Sequence, residues 1–310
     1  MDEQARFLPN QVGASPVPNP ESMGGSRGSP TDNSGDQNAP TAARGWVYAI
    51  GRIVPQFPNL GVEKEFAQLG GGAAAQPQGT VETDELIEAL RNPDNAYLAR
   101  QLCWMFSAGD VEAFTLVCQD DAQAHRLVEA LPYAAQAEQT VQVVVGTIGF
   151  PGADDPCAGS GLPAVRVDHH LAFTVDEFID ALAAEDRGGD GDDADHGQEP
   201  DESFRAAARD LFARLTRRSN NRGIAEEHRA LNYVALRYPP LYRVRADAYR
   251  ENKTLIDVEA RHSHSSNRRL VAVRLVFRDR RTDVVERYQC LVDVTDRFPF
   301  LAAPLTQVYD

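Results

Sequence analysis

Hydrophobic and polar positions alternate along this chain with two periods, and the change between them marks its organisation. Residues 46–54 (WVYAIGRIV) are apolar and β-prone and are stopped by Pro55, which predicts a first strand. Residues 60–69 are short and fit either period, and 70–79 form a Gly/Ala/Gln/Pro tract expected to be a loop. Thr83 starts a helix with Leu86, Ile87 and Leu90 on one side, and Asn92-Pro93 ends it. The apolar run 97–106 suits a buried helix or a strand. A strand is expected over 112–118, a helix over 121–131, a buried strand over 140–148 and a further strand over 164–167. Thr174 and Glu177 have the spacing of a capping box, in which hydroxyl and carboxylate each satisfy a free N–H, so a helix follows to about residue 184.

Beyond 186–202, an Asp/Gly-rich stretch without large apolar residues, the pattern changes. Three helices are expected, over 204–218, 225–238 and 241–252, the second stopped by Pro239-Pro240. Three strands follow, over 255–261, 270–278 and 284–294, joined by loops at 263–267 and 279–282. The predicted fold class is a mixed α/β (α+β) architecture: an α/β first half, then three helices and a three-stranded antiparallel meander. No internal repeat is present.

Composition refines this picture at the N-terminus. The chain has 310 residues, 42% hydrophobic and 25% charged, which are ordinary globular values. Residues 1–44 are rich in Pro, Gly, Ser, Asn and Asp and bury too little to offset ordering entropy, so a disordered arm is expected there. The expected domain is 45–310, with a flexible acidic insert at 186–202. No secretory pattern and no membrane-spanning apolar run is seen, so a cytoplasmic protein is expected. Cys103, Cys118, Cys157 and Cys290 form no close pair, which suits reduced thiols. The net charge of -15 is uneven. From Ser203 onward there are 21 Lys+Arg against 13 Asp+Glu, a balance of +8; before it there are 10 against 33. The two halves can neutralise each other, or the basic one can meet an anionic partner.

Candidate chemistry is sparse. There is no nucleophile elbow, no phosphate-binding glycine motif and no cysteine signature, so no nucleotide cofactor is expected. Zinc is an alternative at Asp168-His169-His170 with Cys157, or at His262 and His264, although none has the tight paired spacing of structural zinc sites. The same residues also read as polar loop positions and buried thiols. Glu63-Lys64-Glu65 would place two carboxylates on one face of a strand, where a solvated or ion-paired edge is the plainer reading. Arg261, Arg268 and Arg269 flank the first meander loop, and Arg278, Arg280 and Arg281 the second. Guanidinium forks there could take carboxylates or phosphates. Helices followed by a meander also suggest a winged-helix nucleic-acid binder, with Arg243, Arg245, Arg250 and Lys253 on or after its third helix; cross-strand pairing with Asp257, Glu259 and Glu286 is the competing reading.

Four segments together resemble one family: GRIVPQFPNLGVEKEFAQ (51–68), NPDNAYLARQLCWMF (92–106), EEHRALNYVALRYPPLY (226–242) and TDVVERYQCLVDVTDRFPFL (282–301). They resemble the C-terminal domain of unknown function of the PatA/PatG-type cyanobactin maturation proteases, from about Gly45 onward. The resemblance implies a place in pathways that cleave and cyclise ribosomally made precursor peptides. No protease segment accompanies it, so protease or macrocyclase activity is not carried over. It implies a stand-alone accessory, non-catalytic, that binds precursor peptide or maturation enzymes, either as a monomer or as a homo-oligomer. A peptide-modifying enzyme using Cys157, His169, His170 or His228 is the alternative. Within the matching helix, His228, Arg229 and Asn232 are the polar members of an apolar pattern. They are either buried and bonded to the core or, with Arg261, Arg268 and Arg269, part of a peptide- or partner-binding surface. Asp293 and Asp296, beside Thr295, are expected to fix a final turn.

Overall fold

The computed structural model describes residues 45–69, 83–153, 155–188, 202–216, 220–263 and 268–309. The expected disordered arm 1–44, the loop 70–79, His264 and most of the acidic insert fall outside them. Residues Arg44–Asp310 pack as one unit.

The first half is a closed barrel. Its strands are β1 (Trp46–Gln56), β2 (Cys103–Ala108), β3 (Val111–Val117), β4 (Thr140–Gly149) and β5 (Ala164–Thr174), in the order β1-β2-β3-β5-β4. Only β3 and β5 run parallel; the other neighbours are antiparallel. Val144, Val165, Val167, Phe106 and Phe114 fill the interior, the two phenylalanines stacked at 4.6 Å. Helices α1 (Leu60–Leu69) and α2 (Thr83–Arg91) lie in the long β1–β2 connection, and α3 (Asp121–Glu129) lies between β3 and β4. Phe66, Ile87, Leu90, Leu127 and Val128 from these helices join the same core. The unbroken apolar run of β4 follows from burial on both faces: Val144 points inward, while Val143 and Val145 point out into a second core.

That second core belongs to the other half. Helices α4 (Val175–Gly188), α5 (Glu202–Thr216), α6 (Glu226–Arg237) and α7 (Pro240–Arg250) precede a sheet of β6 (Lys253–Ser263), β7 (Leu270–Asp279), β8 (Val285–Asp293) and β9 (Phe300–Val308), paired antiparallel in that order. Leu211, Leu231, Val234 and Tyr242 pack on Val258, Val273, Leu275, Phe277 and Val292, and Tyr48 and Ile50 of the barrel enter the same cluster. The capping box forms as expected: Thr174 N donates to Glu177 Oε2 at 2.8 Å, and Glu177 N to Thr174 Oγ1 at 3.2 Å.

Several expectations are corrected. The apolar run 97–106 is neither one helix nor one strand; a 3-10 helix (Pro93–Arg100) ends and β2 begins inside it. Residues 60–69 are helical, so Glu63 and Glu65 do not share a strand face, and Glu65 Oε1 accepts the Tyr97 hydroxyl at 3.0 Å. The helix after Thr174 extends to Gly188, into the expected insert. The meander has four strands, because β9 forms despite Pro304. Proline is tolerated at a sheet edge, where no partner needs its N–H. Two β9 amides donate instead to tyrosine hydroxyls, Leu301 N to Tyr233 at 3.2 Å and Leu305 N to Tyr238 at 2.8 Å, so this part of the edge is occupied by its own chain.

The expectation of four reduced thiols is also overturned. Cys103 on β2 and Cys157 in the β4–β5 loop form a disulfide, leaving Cys118 and Cys290 free. Their separation of 54 residues gave no signal, because barrel closure brings them together. No helix among the described residues is long and apolar enough to cross a membrane.

The two halves are joined by polar groups. Asn232 Nδ2, fully buried, donates to Tyr48 O at 2.8 Å, and Asn221 Nδ2 donates to Asn232 Oδ1 at 2.8 Å. Tyr48 N donates to Gly223 O at 2.9 Å. Gly223 has φ +66°, and a Cβ there would lie 2.4 Å from Tyr48 O and 2.5 Å from Ala49 Cα, so glycine is required twice over.

Gly223→Ala is expected to lower unfolding stability in urea by about 2 kcal/mol or more; an unchanged midpoint would refute this joint. Thiol titration of the unfolded, unreduced protein should give two free thiols, rising to four after reduction.

Candidate functional site

A β-bulge creates the site. Pairing between β4 and β5 runs Val145↔His169 and then Gly146↔Val167, so Asp168 is the extra residue. The bulge reverses the alternation of β5: Val165 and Val167 enter the barrel core, and beyond it His170 lies opposite the inward Val144. Gly146 permits this crowding, since a Cβ there would sit 2.3 Å from Arg166 O. Val167 O is received by two side-chain amides, Gln119 Nε2 and Gln123 Nε2, each at 2.8 Å. Gln123 is itself held at the first turn of α3, where its N–H donates to the capping Asp120 Oδ1 at 2.7 Å.

Gln123, Arg126, Val167, Asp168, His169 and His170 line a cleft of about 380 Å³ between α3 and β5. His170 Nε2 lies 3.0 Å from Gln142 Oε1. Gln142 Nε2 donates to Ala130 O at 3.5 Å, an orientation that turns its oxygen to the ring and favours the tautomer protonated at Nε2. Burial, with the charge of Arg126 adding to it, pushes the imidazole down to about 4, so His170 is neutral near pH 7. The Asp168 side chain, 11% exposed, pairs through its buried Oδ2 with Arg297 Nη1 at 3.3 Å, an ion pair without hydrogen-bond geometry. The Arg126 guanidinium has neither a hydrogen bond nor an ion pair among the described residues.

Arg297 comes from the turn after β8 and is held from two sides. Its guanidinium lies 5.2 Å from the Trp46 ring and 6.0 Å from Phe298, and Phe298 meets His169 edge to face at 5.3 Å. The backbone is gripped by Arg229, which donates to Val294 O at 2.8 Å, to Arg297 O at 3.0 Å and to Asp296 O. Arg229 is 2% exposed; burial and the nearby Arg269 bring its pKa down to about 10, still protonated at neutral pH. Three carbonyls are what make that buried charge tolerable. Asp293 Oδ1 accepts Thr295 N at 2.8 Å, which fixes the same turn as expected.

The residues proposed from sequence therefore separate. Arg229 and Asn232 are buried and bonded inside the protein, Arg229 through Nη1 and Nη2 with its Nε unpartnered, so they brace the fold. His228 is half-buried on α6. Arg269 pairs with Glu226 at 2.9 Å and donates to Thr295 O at 2.7 Å; Arg268 lies 3.6 Å from Asp293. Arg261, 74% exposed, reaches Glu259 at 3.2 Å. His262 contacts Glu226 and Glu227. Arg243, Arg245 and Arg250 of the third helix engage Glu185 O, Asp210 and Asp247. Cys157 is committed to Cys103, and no group of three or more His, Cys, Asp or Glu among the described residues is placed to hold a metal. Of the earlier candidates, only Asp168, His169 and His170 meet in the cleft. Arg126, Gln142, Trp46 and Arg297 were missed: they come from α3, β4, β1 and the β8–β9 turn, and no local pattern links them.

Cys103 and Met105 of β2 are buried against Cys157 and Leu162 of the β4–β5 loop.

Two family models match the chain: PatG Domain over residues 46–236 and PatG C-terminal over 198–309. The chain belongs to the PatG domain family. A solved structure described as "PatG Domain of Unknown Function" is similar in fold, with a TM-score of 0.60 at 20% identity, covering 85% of this chain and 98% of that one. No curated protein matches. The cleft draws on both matched regions of this PatG chain, since β5 and α3 lie in the first and Arg297 in the second.

His170 takes a proton near pH 6.5 when unfolded and near 4 when folded. Its contribution to stability is complete above pH 6.5 and declines as pH falls toward 4. The difference amounts to roughly 3 kcal/mol at 1.36 kcal/mol per pH unit. His170→Gln should flatten this part of the stability–pH curve; parallel wild-type and variant curves in urea unfolding would refute it.

Proposed function

We propose that this PatG-family chain is a non-catalytic accessory of cyanobactin-type ribosomal peptide biosynthesis in the cytoplasm. It binds a precursor peptide or a maturation enzyme at the β5–α3 cleft. The observation that carries this reading is a cleft equipped to hold rather than to react. It offers an exposed guanidinium in Arg126 beside a carboxylate, Asp168, that is already paired with Arg297. Its enclosed histidine, pushed to about 4, is a weak base at neutral pH. The free thiols are no better as nucleophiles, since burial raises Cys118 to about 11 and Cys290 to about 12, far above the thiolate range.

The test is calorimetric titration with the precursor peptide encoded beside the gene and with its maturation enzymes, followed by mass spectrometry of the peptide. Saturable heat with no mass change supports the reading. Absence of heat with every one of them overturns it. A mass change, with or without added zinc, would replace binding by catalysis. Binding to duplex DNA that weakens steeply with salt would replace it by nucleic-acid recognition.

A further inference from the structure

We propose that the free edge of β5 beyond Val167 takes up an extended peptide as an added strand, bonded to the backbone of His170 and Ala172. This rests on the peptide-binding reading above and names the mode of binding. The peptide is held by its main chain, with apolar side chains at alternate positions.

The barrel closes along only part of β5. Strand β3 pairs with Ala164, Val165 and Arg166 and ends at Val117, and Val167 O is received by Gln119 and Gln123. From there β5 runs on to Thr174, paired with β4 alone. Successive residues of a strand turn their N–H groups to opposite sides, and in an antiparallel ladder the N–H and C=O of one residue point the same way. Two bonds fix which side is which. Val175 N donates to Gln139 O at 3.0 Å, on the β4 side, and Thr174 N turns away to Glu177 Oε2 at 2.8 Å. The register is unbroken from Thr174↔Thr140 back to His169↔Val145. Leu171 and Phe173 therefore bond to β4, and His170 and Ala172 present N–H and C=O on the open side. No described residue bonds to them there.

The edges of the other sheet are blunted. Strand β6 has a bulge between Leu255 and Asp257 and carries Asp257, Glu259 and Arg261, while β9 has Pro304 and gives two amides to tyrosine hydroxyls. Residues 169–174 of β5 (HHLAFT) have no proline and no acidic, lysine or arginine side chain. The cleft of about 380 Å³ lies against this stretch, with Gln123 and Arg126 of α3 across it, so the edge meets open space. What completes such an edge is a chain with its own unpaired donors and acceptors in extended form. Side chains add selectivity. His169 and Leu171 share one face of β5, Leu171 39% exposed, and Phe298, 47% exposed, meets His169 edge to face at 5.3 Å. A β-branched or aromatic side chain of the added strand packs on this row.

The probe is N-acetyl-Thr-Val-Thr-Val-Thr-amide, titrated to millimolar concentration into the full chain, with amide hydrogen exchange followed residue by residue by NMR. The His170 and Ala172 amides should exchange rapidly in the free protein, and saturating peptide should slow both at least about tenfold, while Leu171 and Phe173 stay protected throughout. Two N-methylated probes, one blocked at both valines and one at the three threonines, separate backbone from side-chain binding. Only alternate amides face β5, so one of these probes should bind at least about tenfold more weakly than the other. Ala172→Pro loses an N–H that faces away from β4, so it should remain folded by circular dichroism and lose the peptide. Should that variant not fold, the pair of N-methylated probes decides alone. Slow exchange of His170 and Ala172 in the free protein, equal binding of the two N-methylated probes, no binding at all, or full binding by folded Ala172→Pro would each overturn the strand site. A dimer in sedimentation that Ala172→Pro converts to monomer would give the edge to a second copy and overturn it likewise. If the whole precursor binds and Ala172→Pro leaves that binding unchanged, the peptide-binding function stands and only this site falls.

Discussion

The lock between α6 and β1 is the constraint on which the rest of the structure depends. The outer face of the barrel, through Tyr48, Ile50, Val143 and Val145, is also part of the core of the helix-and-sheet half. Apolar packing of this kind is strong but not directional. Direction comes from the buried Asn221–Asn232 pair, which reaches Tyr48 O, and from Gly223 O, which accepts Tyr48 N. A polar group at full burial must meet its partner or lose a hydrogen bond outright, so these groups fix one register between the halves.

From that lock the site follows by steps. Asn232 fastens one part of α6 to the barrel, and Arg229, less than one turn earlier, grips the carbonyls of the turn after β8. The turn in turn presents Arg297 to Asp168 and Trp46, both barrel residues. The bulge at Asp168 turns His170 inward toward Gln142 and leaves Val167 O to the glutamines of the β3–α3 segment. The cleft is thus assembled from both halves, and its polar groups are oriented by structure far from it in sequence.

Much of the secondary structure was legible. The helix periods of α5 to α7, the alternation in β7 and β8 and the capping box at Thr174 are local properties, decided within a few residues. Failures occurred where local signals conflicted or were overruled. The run 97–106 is apolar but for Arg100 and Gln101, because Leu98 and Ala99 at its 3-10 end and Cys103–Phe106 at its strand end are buried, so its composition hides the boundary at 100–103. Strand β9 contains Pro304 and survives because it lies at an edge. Strand β5 continues well past 167 because the bulge lets two polar histidines stay in a strand.

By itself, the sequence determined most of the elements and the family to which the chain belongs, while the two halves divide before α4, ahead of the acidic stretch. It also marked Asp168, His169 and His170 as unusual and Arg229 and Asn232 as polar members of an apolar helix. Only the tertiary structure decided which of these face solvent and which are buried, because burial depends on elements far apart in the chain, such as Tyr48 and Asn232, which are 184 residues apart. Barrel closure, the Cys103–Cys157 bond and the meeting of Arg126 with Asp168 are likewise long-range. Each depends on the path of the whole chain, which no window of local periodicity contains.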